Sequence, residues 1–200
     1  MNNRFLSRTI FGFILSSGFL LVGAMSLTGC GIQSIPQQKN EVDAATSEIT
    51  NQYKRRADLI PNLVEVVKGY AAHEKGTLEA VVEARAKATS IQLDPSKTKP
   101  EDLKKYQAAQ GELSQALGRL MMITENYPQL KANENFKDLQ AQLEGTENRI
   151  TVARTRYIET VKKFNNLVTV PPYSWTNSMM YHFEIMTQWD VPKDEKKKIE

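Results

Sequence analysis

Residues 136–168, FKDLQAQLEGTENRITVARTRYIETVKKFNNLV, decide the fold. Within them Phe136, Leu139, Leu143, Thr146, Ile150, Ala153, Tyr157, Val161, Phe164 and Val168 recur at gaps of three and four. That period matches a helical turn, so these side chains share one face and the charged residues lie largely on the other. No proline interrupts the run, and the spacing predicts one long amphipathic helix. Such a helix is stable only when other elements cover its stripe, so the rest of the chain must supply partners.

Two further segments do so. From about Glu101 to Asn126, Leu103, Tyr106, Gln110, Leu113, Leu117, Leu120 and Thr124 form a second stripe, with Glu101 and Asp102 placed to favour the helix dipole in its first turn. Gly111 and Gly118 on this helix mark either a close helix approach or tolerated surface positions. Pro128 ends the pattern, and Ala132 to Glu134 supply a cap for the quoted helix. A loop from Thr89 to Pro100 precedes the second segment. Before it, Ile49, Tyr53, Ile60, Leu63, Val67, Tyr70, Leu78, Val81 and Ala88 give a third stripe. Pro61 lies inside that stripe and lacks an N–H, which predicts a kink or a new helix after Leu59 or Ile60 with Asp58 as its N-cap. With three long segments, the first kinked or split at Pro61, the expected fold is all-α: an up-and-down antiparallel bundle of three to four coiled-coil-like helices over residues 41–168.

The character changes over residues 169–200. Val170-Pro171-Pro172 is followed by Tyr173, Trp175, Met179, Met180, Tyr181, Phe183, Met186 and Trp189, which are expected to pack over the bundle end or to form an exposed apolar patch. Lys193 to Glu200 is a mixed charge run that reads as a solvated tail.

The other end carries a targeting signal. Arg4 and Arg8 precede an uncharged stretch from Thr9 to Met25, and Leu27-Thr28-Gly29-Cys30 has the aliphatic, small, small, thiol pattern of a lipobox. As a helix the uncharged stretch would be about 26 Å long, shorter than the hydrocarbon core, and glycines and serines dilute it. Residues 1–29 are therefore expected to be a cleaved signal peptide. Cys30 becomes the lipid attachment point, carrying diacylglycerol and an N-acyl chain such as palmitate; several chains hold a protein where one would not. Residues 30–40, polar and containing Pro36, read as a tether. Gly31 replaces the aspartate that retains lipoproteins at an inner membrane. The expected location is the bacterial cell envelope: the periplasmic face of the outer membrane in a two-membrane organism, otherwise the outer face of the cell membrane.

The formal net charge is +3, and Arg4 and Arg8 supply two of those charges, so no basic patch points to nucleic acid. The single cysteine excludes an internal disulfide and cysteine-metal chemistry. His73 and His182 are the only histidines; Tyr70 and Met179 stand three residues before them, so the paired Glu-x-x-His of di-iron bundles is absent. His73-Glu74 opens like a zinc-protease motif, but Thr77 stands where the second histidine belongs. No Gly-x-Ser-x-Gly occurs, and the expectation is a non-enzymatic protein with no metal or dissociable cofactor. What stands out is polar density: Arg55, Arg56 and Asp58 in the first segment, Glu144, Glu147, Asn148 and Arg149 in the quoted one. Inter-helix ion pairs and caps are the first reading of these candidates.

The same residues carry a resemblance. Arg55-Arg56-Ala57-Asp58-Leu59-Ile60-Pro61-Asn62-Leu63-Val64, then Val67-Lys68-Gly69-Tyr70 and His73-Glu74, resembles the signature of the LemA family. A second block agrees in order: Pro128 to Asn133, Asn135-Phe136, Leu143 to Ile150, Ala153-Arg154 and Tyr157. The resemblance implies a four-helix, up-and-down bundle held at a bacterial membrane by its N-terminus, in a family without an established biochemical activity. Two departures stand out. Family members commonly keep an uncleaved N-terminal membrane helix where this chain has a lipobox, and Val170-Pro171-Pro172 and Met180-Tyr181-His182-Phe183 differ from the family's later pattern. The function expected is a membrane-anchored interaction or scaffold module with lipid and an envelope protein as partners; accessory hydrolase-like activity in a polar inter-helix pocket, or a sensor or adaptor role, are the alternatives.

Overall fold

A computed structural model describes residues 33–95 and 98–189. The expected signal peptide, Cys30 and the charged tail lie outside these residues. Five helices account for the bundle segments: α1 Ser34–Tyr70, α2 Lys75–Ser90, α3 Pro100–Thr124, the short α4 Pro128–Ala132 and α5 Glu134–Thr169. A four-residue helix, α6 Tyr173–Thr176, runs into a π-turn over Asn177–Tyr181. No strand occurs among the described residues, and the protein is an all-α helical bundle.

The chain forms two compact units. The larger contains Asn40–Lys163 and, among the described residues, 186–189. Its topology follows from side-chain pairs. Glu48, Tyr53 and Arg56 of α1 meet Arg156, Arg154 and Glu147 of α5, so numbers rise on one helix as they fall on the other and the pair is antiparallel. Lys87 and Ala88 of α2 meet Glu112 and Gln110 of α3 in the same inverse order. Short turns join α1 to α2 and α3 to α4 and α5, giving the up-down-up-down order. Ile60, Leu63 and Val67 pack with Val81, Leu113, Leu120, Leu130 and Phe136 in the core. At the other level an aromatic cluster closes it: Trp189 stacks on Tyr53 and meets Tyr106 and Tyr157 edge-on.

Local chemistry sets the helix ends. Asn133 accepts the N–H of Phe136 on its Oδ1 at 3.0 Å, the cap expected between Ala132 and Glu134. Pro100 and Pro128 each occupy a first-turn position, where a missing N–H costs nothing. Tyr127 donates to Glu74 Oε1 at 3.0 Å and Asn133 Nδ2 to Tyr70 Oη at 2.9 Å, which ties the α1–α2 turn to the α3–α5 connection.

Three expectations are corrected. Pro61 neither splits the first helix nor creates an N-cap at Asp58, which is an exposed mid-helix residue; α1 continues to Tyr70, and the break falls at Ala71 to Glu74, between Gly69 and Gly76. The carbonyl that Pro61 cannot engage is that of Ala57, and Arg85 Nε donates to it at 2.7 Å from α2. The tether reading of residues 30–40 does not extend past Gln33, because α1 begins at Ser34 and Pro36 falls in its first turn, where proline is tolerated. The loop after the first segment begins at Ile91, two residues later than Thr89, because Thr89 and Ser90 are still helical.

The smaller unit contains the described residues up to Lys39 and Phe164–Ile185. Ile35 and Phe164 are fully buried in it. The chain reverses at His182, whose φ of 55° places it in the left-handed region, and its N–H reaches Asn177 O at 2.8 Å, closing the π-turn.

Candidate functional site

Arg56 lies on the buried stripe of α1, in the seven-residue gap between Tyr53 and Ile60, and its side chain is only 3% exposed. A charge cannot be held there without partners. The guanidinium finds them on two other helices. Nη1 donates to Ser114 Oγ at 2.8 Å and to Glu147 Oε2 at 3.0 Å; Nη2 donates to Gln110 O at 3.1 Å and Gln110 Oε1 at 2.9 Å. Four of its five N–H groups are used in this way, and Nε has no hydrogen-bond partner. The cation also lies 5.0 Å from the centroid of the Tyr53 ring. Gln110 continues the network by donating to Ala88 O on α2 at 3.3 Å, so all four long helices meet at this level.

The other charges are placed differently. Glu147 is half exposed at 48%, so one oxygen braces Arg56 while the carboxylate stays in contact with solvent. Arg55, Asp58 and Arg149 line a separate surface hollow with Gln142, and Arg149 also donates to Thr146 Oγ1 at 3.1 Å. Glu144 accepts from Gln140 Nε2 at 3.0 Å on the exposed face, and Asn148 is exposed. Of the seven sequence candidates, then, the structure brings Arg56 and Glu147 together, and the pocket imagined among Glu144, Glu147, Asn148 and Arg149 does not form as one site. Gln110, Ser114 and Arg154 were not singled out. Gln110 had a signal, being a polar residue in an apolar stripe, and Arg154 stands in the second block of the family resemblance; Ser114 had none.

Two clefts flank the cluster. One, of about 550 Å³, is lined by Thr50, Lys54, Asp58, Arg85, Tyr106 and Gln110 among others; the second, of about 540 Å³, by Tyr53, Gln110, Ser114, Glu147, Arg154 and Trp189 among others. The phenols beside them are held neutral. Burial pushes Tyr53 up, opposed by Arg154, whose Nη2 lies 3.4 Å from its oxygen. Burial and then Tyr53 push Tyr106 further up. Burial pushes Tyr157 up to about 12, and its hydroxyl donates to Thr187 O at 3.2 Å. Neutral phenols and a guanidinium with four of its five N–H groups engaged are suited to bracing and to hydrogen bonding, not to moving protons near neutrality.

His73 is exposed in the α1–α2 turn. Among the described residues no group of three or more His, Cys, Asp or Glu side chains could hold a metal ion. No described helix is long and apolar enough to cross a membrane.

A LemA family model matches residues 45–200. The chain is also similar to Protein LemA of Metamycoplasma hominis, 26% identical over 176 residues that cover 86% of this chain and 72% of that protein.

Proposed function

The chain belongs to the LemA family, and from that premise we propose that it serves as a non-enzymatic interaction module of the bacterial envelope, tethered by lipid on Cys30. The observation that carries this reading is the direction of the polar network: Arg56 is engaged by Ser114, Gln110 and Glu147, all from its own bundle, so the centre of the bundle braces helices instead of presenting reactive groups. A braced bundle on an acyl anchor offers long helical faces at a fixed membrane. Gly31 after the acylated cysteine favours the periplasmic face of the outer membrane where two membranes exist.

Crosslinking in living cells, with wild type compared to Cys30→Ser, tests both parts. The expected result is a reproducible partner captured by wild type, lost together with membrane fractionation in the variant. An unchanged membrane location for Cys30→Ser defeats the lipid tether. Turnover of a substrate that disappears in a folded Glu147→Ala variant defeats the non-enzymatic reading.

A further inference from the structure

The smaller unit presents a set of apolar side chains that none of the foregoing explains. Trp175 is 65% exposed and Met179 81%, and Val170, Met180 and Ile185 are exposed beside them in sequence. From Phe164 to Phe183 there is no Asp, Glu, Lys or Arg. A large exposed indole with methionines, in a stretch free of full charges, is an interaction surface more than a random exposure.

This surface is held in shape. Asn177 is buried, and its side chain both donates to Phe183 O and accepts from Phe183 N, each at 3.0 Å. Tyr181 stacks on Phe183, which packs edge-on against Phe164. Trp175 in α6 and Met179 in the π-turn that continues it are four residues apart, about one helical revolution, and Met180 is the next residue. The apolar groups are therefore presented on a pinned hook.

The sequence says what faces it. Cys30 lies four residues before Ser34, where α1 begins, and four residues span at most about 14 Å. Ser34 to Lys39 belong to the same compact unit as the hook. An acyl chain on Cys30 would hold that unit within a short reach of the bilayer surface, where Trp and Tyr are favoured because an amphipathic ring suits the headgroup level. We infer that Trp175, Met179 and Met180 form a second membrane contact, entering the lipid interface beside the acyl anchor. This rests on the lipid-tether reading of Cys30.

Tryptophan fluorescence tests it on the full chain purified from cell membranes. Trp189→Phe leaves Trp175 as the sole indole, and the protein is reconstituted in vesicles of phosphatidylethanolamine and phosphatidylglycerol with and without brominated acyl chains. The expected result is severalfold quenching of Trp175 by brominated lipid and protection from aqueous iodide. Quenching by iodide with no effect of brominated lipid overturns the proposal. So does protection that depends on protein density and ignores brominated lipid, because a second copy then covers the hook. If Trp189→Phe loosens the aromatic cluster, the same answer comes from the difference between wild type and Trp175→Phe. Intact mass of the same preparation separates the two readings: no lipid on Cys30 with Trp175 quenched removes the tether and keeps the surface, whereas lipid present with Trp175 open to iodide does the reverse.

Discussion

Arg85 Nε donates to the backbone carbonyl of Ala57 at 2.7 Å, the carbonyl that Pro61, four residues on, is unable to bond. A proline in a helix interior ordinarily costs about 3 kcal/mol, in part through that orphaned acceptor. Here a side chain from the antiparallel neighbour supplies the missing donor. The helix continues through the proline because the acceptor is satisfied across the helix pair.

A double-mutant cycle exposes the relationship. Arg85→Ala is expected to destabilise the protein by about 1–2 kcal/mol in urea unfolding. In a Pro61→Ala background, where residue 61 regains an N–H for Ala57, the same change should cost distinctly less, with a coupling of roughly 1 kcal/mol. Equal costs in both backgrounds would show that the two residues are independent.

Arg56 and Glu147 should respond unequally although they form one pair. Replacing Glu147 by Gln keeps an acceptor at a half-exposed position and should cost about 1 kcal/mol. Arg56→Ala opens a cavity and leaves the buried Gln110 Oε1 without its donor, with an expected loss of about 3–5 kcal/mol. Arg56→Met, which fills the space without a charge, should recover a large part of that loss. Chemical denaturation of the three variants checks the order.

Alkaline pH should weaken the bundle through its phenols. An unfolded tyrosine ionises near pH ~10, whereas burial holds Tyr157 protonated up to about 12. The stabilising contribution is complete below the unfolded value and is lost as pH rises through the folded one, because only the unfolded chain releases the proton in between. For Tyr157 alone this is on the order of 2 kcal/mol, and Tyr53 and Tyr106 shift in the same direction. Stability measured against pH should fall over this window, and Tyr157→Phe should flatten the slope.

Gly111 and Gly118 sit on the exposed face of α3, and a Cβ added at either would meet no atom within 4 Å. They are surface positions, not points of close helix approach. Each Gly→Ala substitution should raise stability by about 0.5–1 kcal/mol by restricting the unfolded chain and favouring helix. Thermal unfolding of the double variant reads both, and their effects should add.

The apolar stripes were legible in the sequence almost residue by residue. Every position from Phe136 to Val168 in the α5 stripe is buried, as is every position from Leu103 to Thr124 in the α3 stripe. Periodicity did not reveal the end of α1, because Val67 and Tyr70 before the turn and Leu78 and Val81 after it keep helical spacing across the break. Pro61 looked like the break for a clear reason: its rescue depends on Arg85, which is distant in sequence and close only in the folded pair. The candidate cluster was half visible. Arg56 filled a gap in a stripe and Gln110 interrupted one, but which polar residues meet is set by helix register, and Trp189 reached the aromatic cluster from a segment with no periodic signal.

The Arg56 cluster limits which bundles this chain can form. Stripes of Leu, Ile, Val and Ala tolerate sliding, since one turn of slip, ~5.4 Å, exchanges one apolar contact for another. The guanidinium does not, because its partners are a serine and a glutamine from α3 and a glutamate from α5 at a single height. Any slipped packing buries a positive charge against hydrocarbon. The residue therefore acts as an alignment key: its worth lies less in the native state's own stability than in making every neighbouring arrangement of the same helices unfavourable.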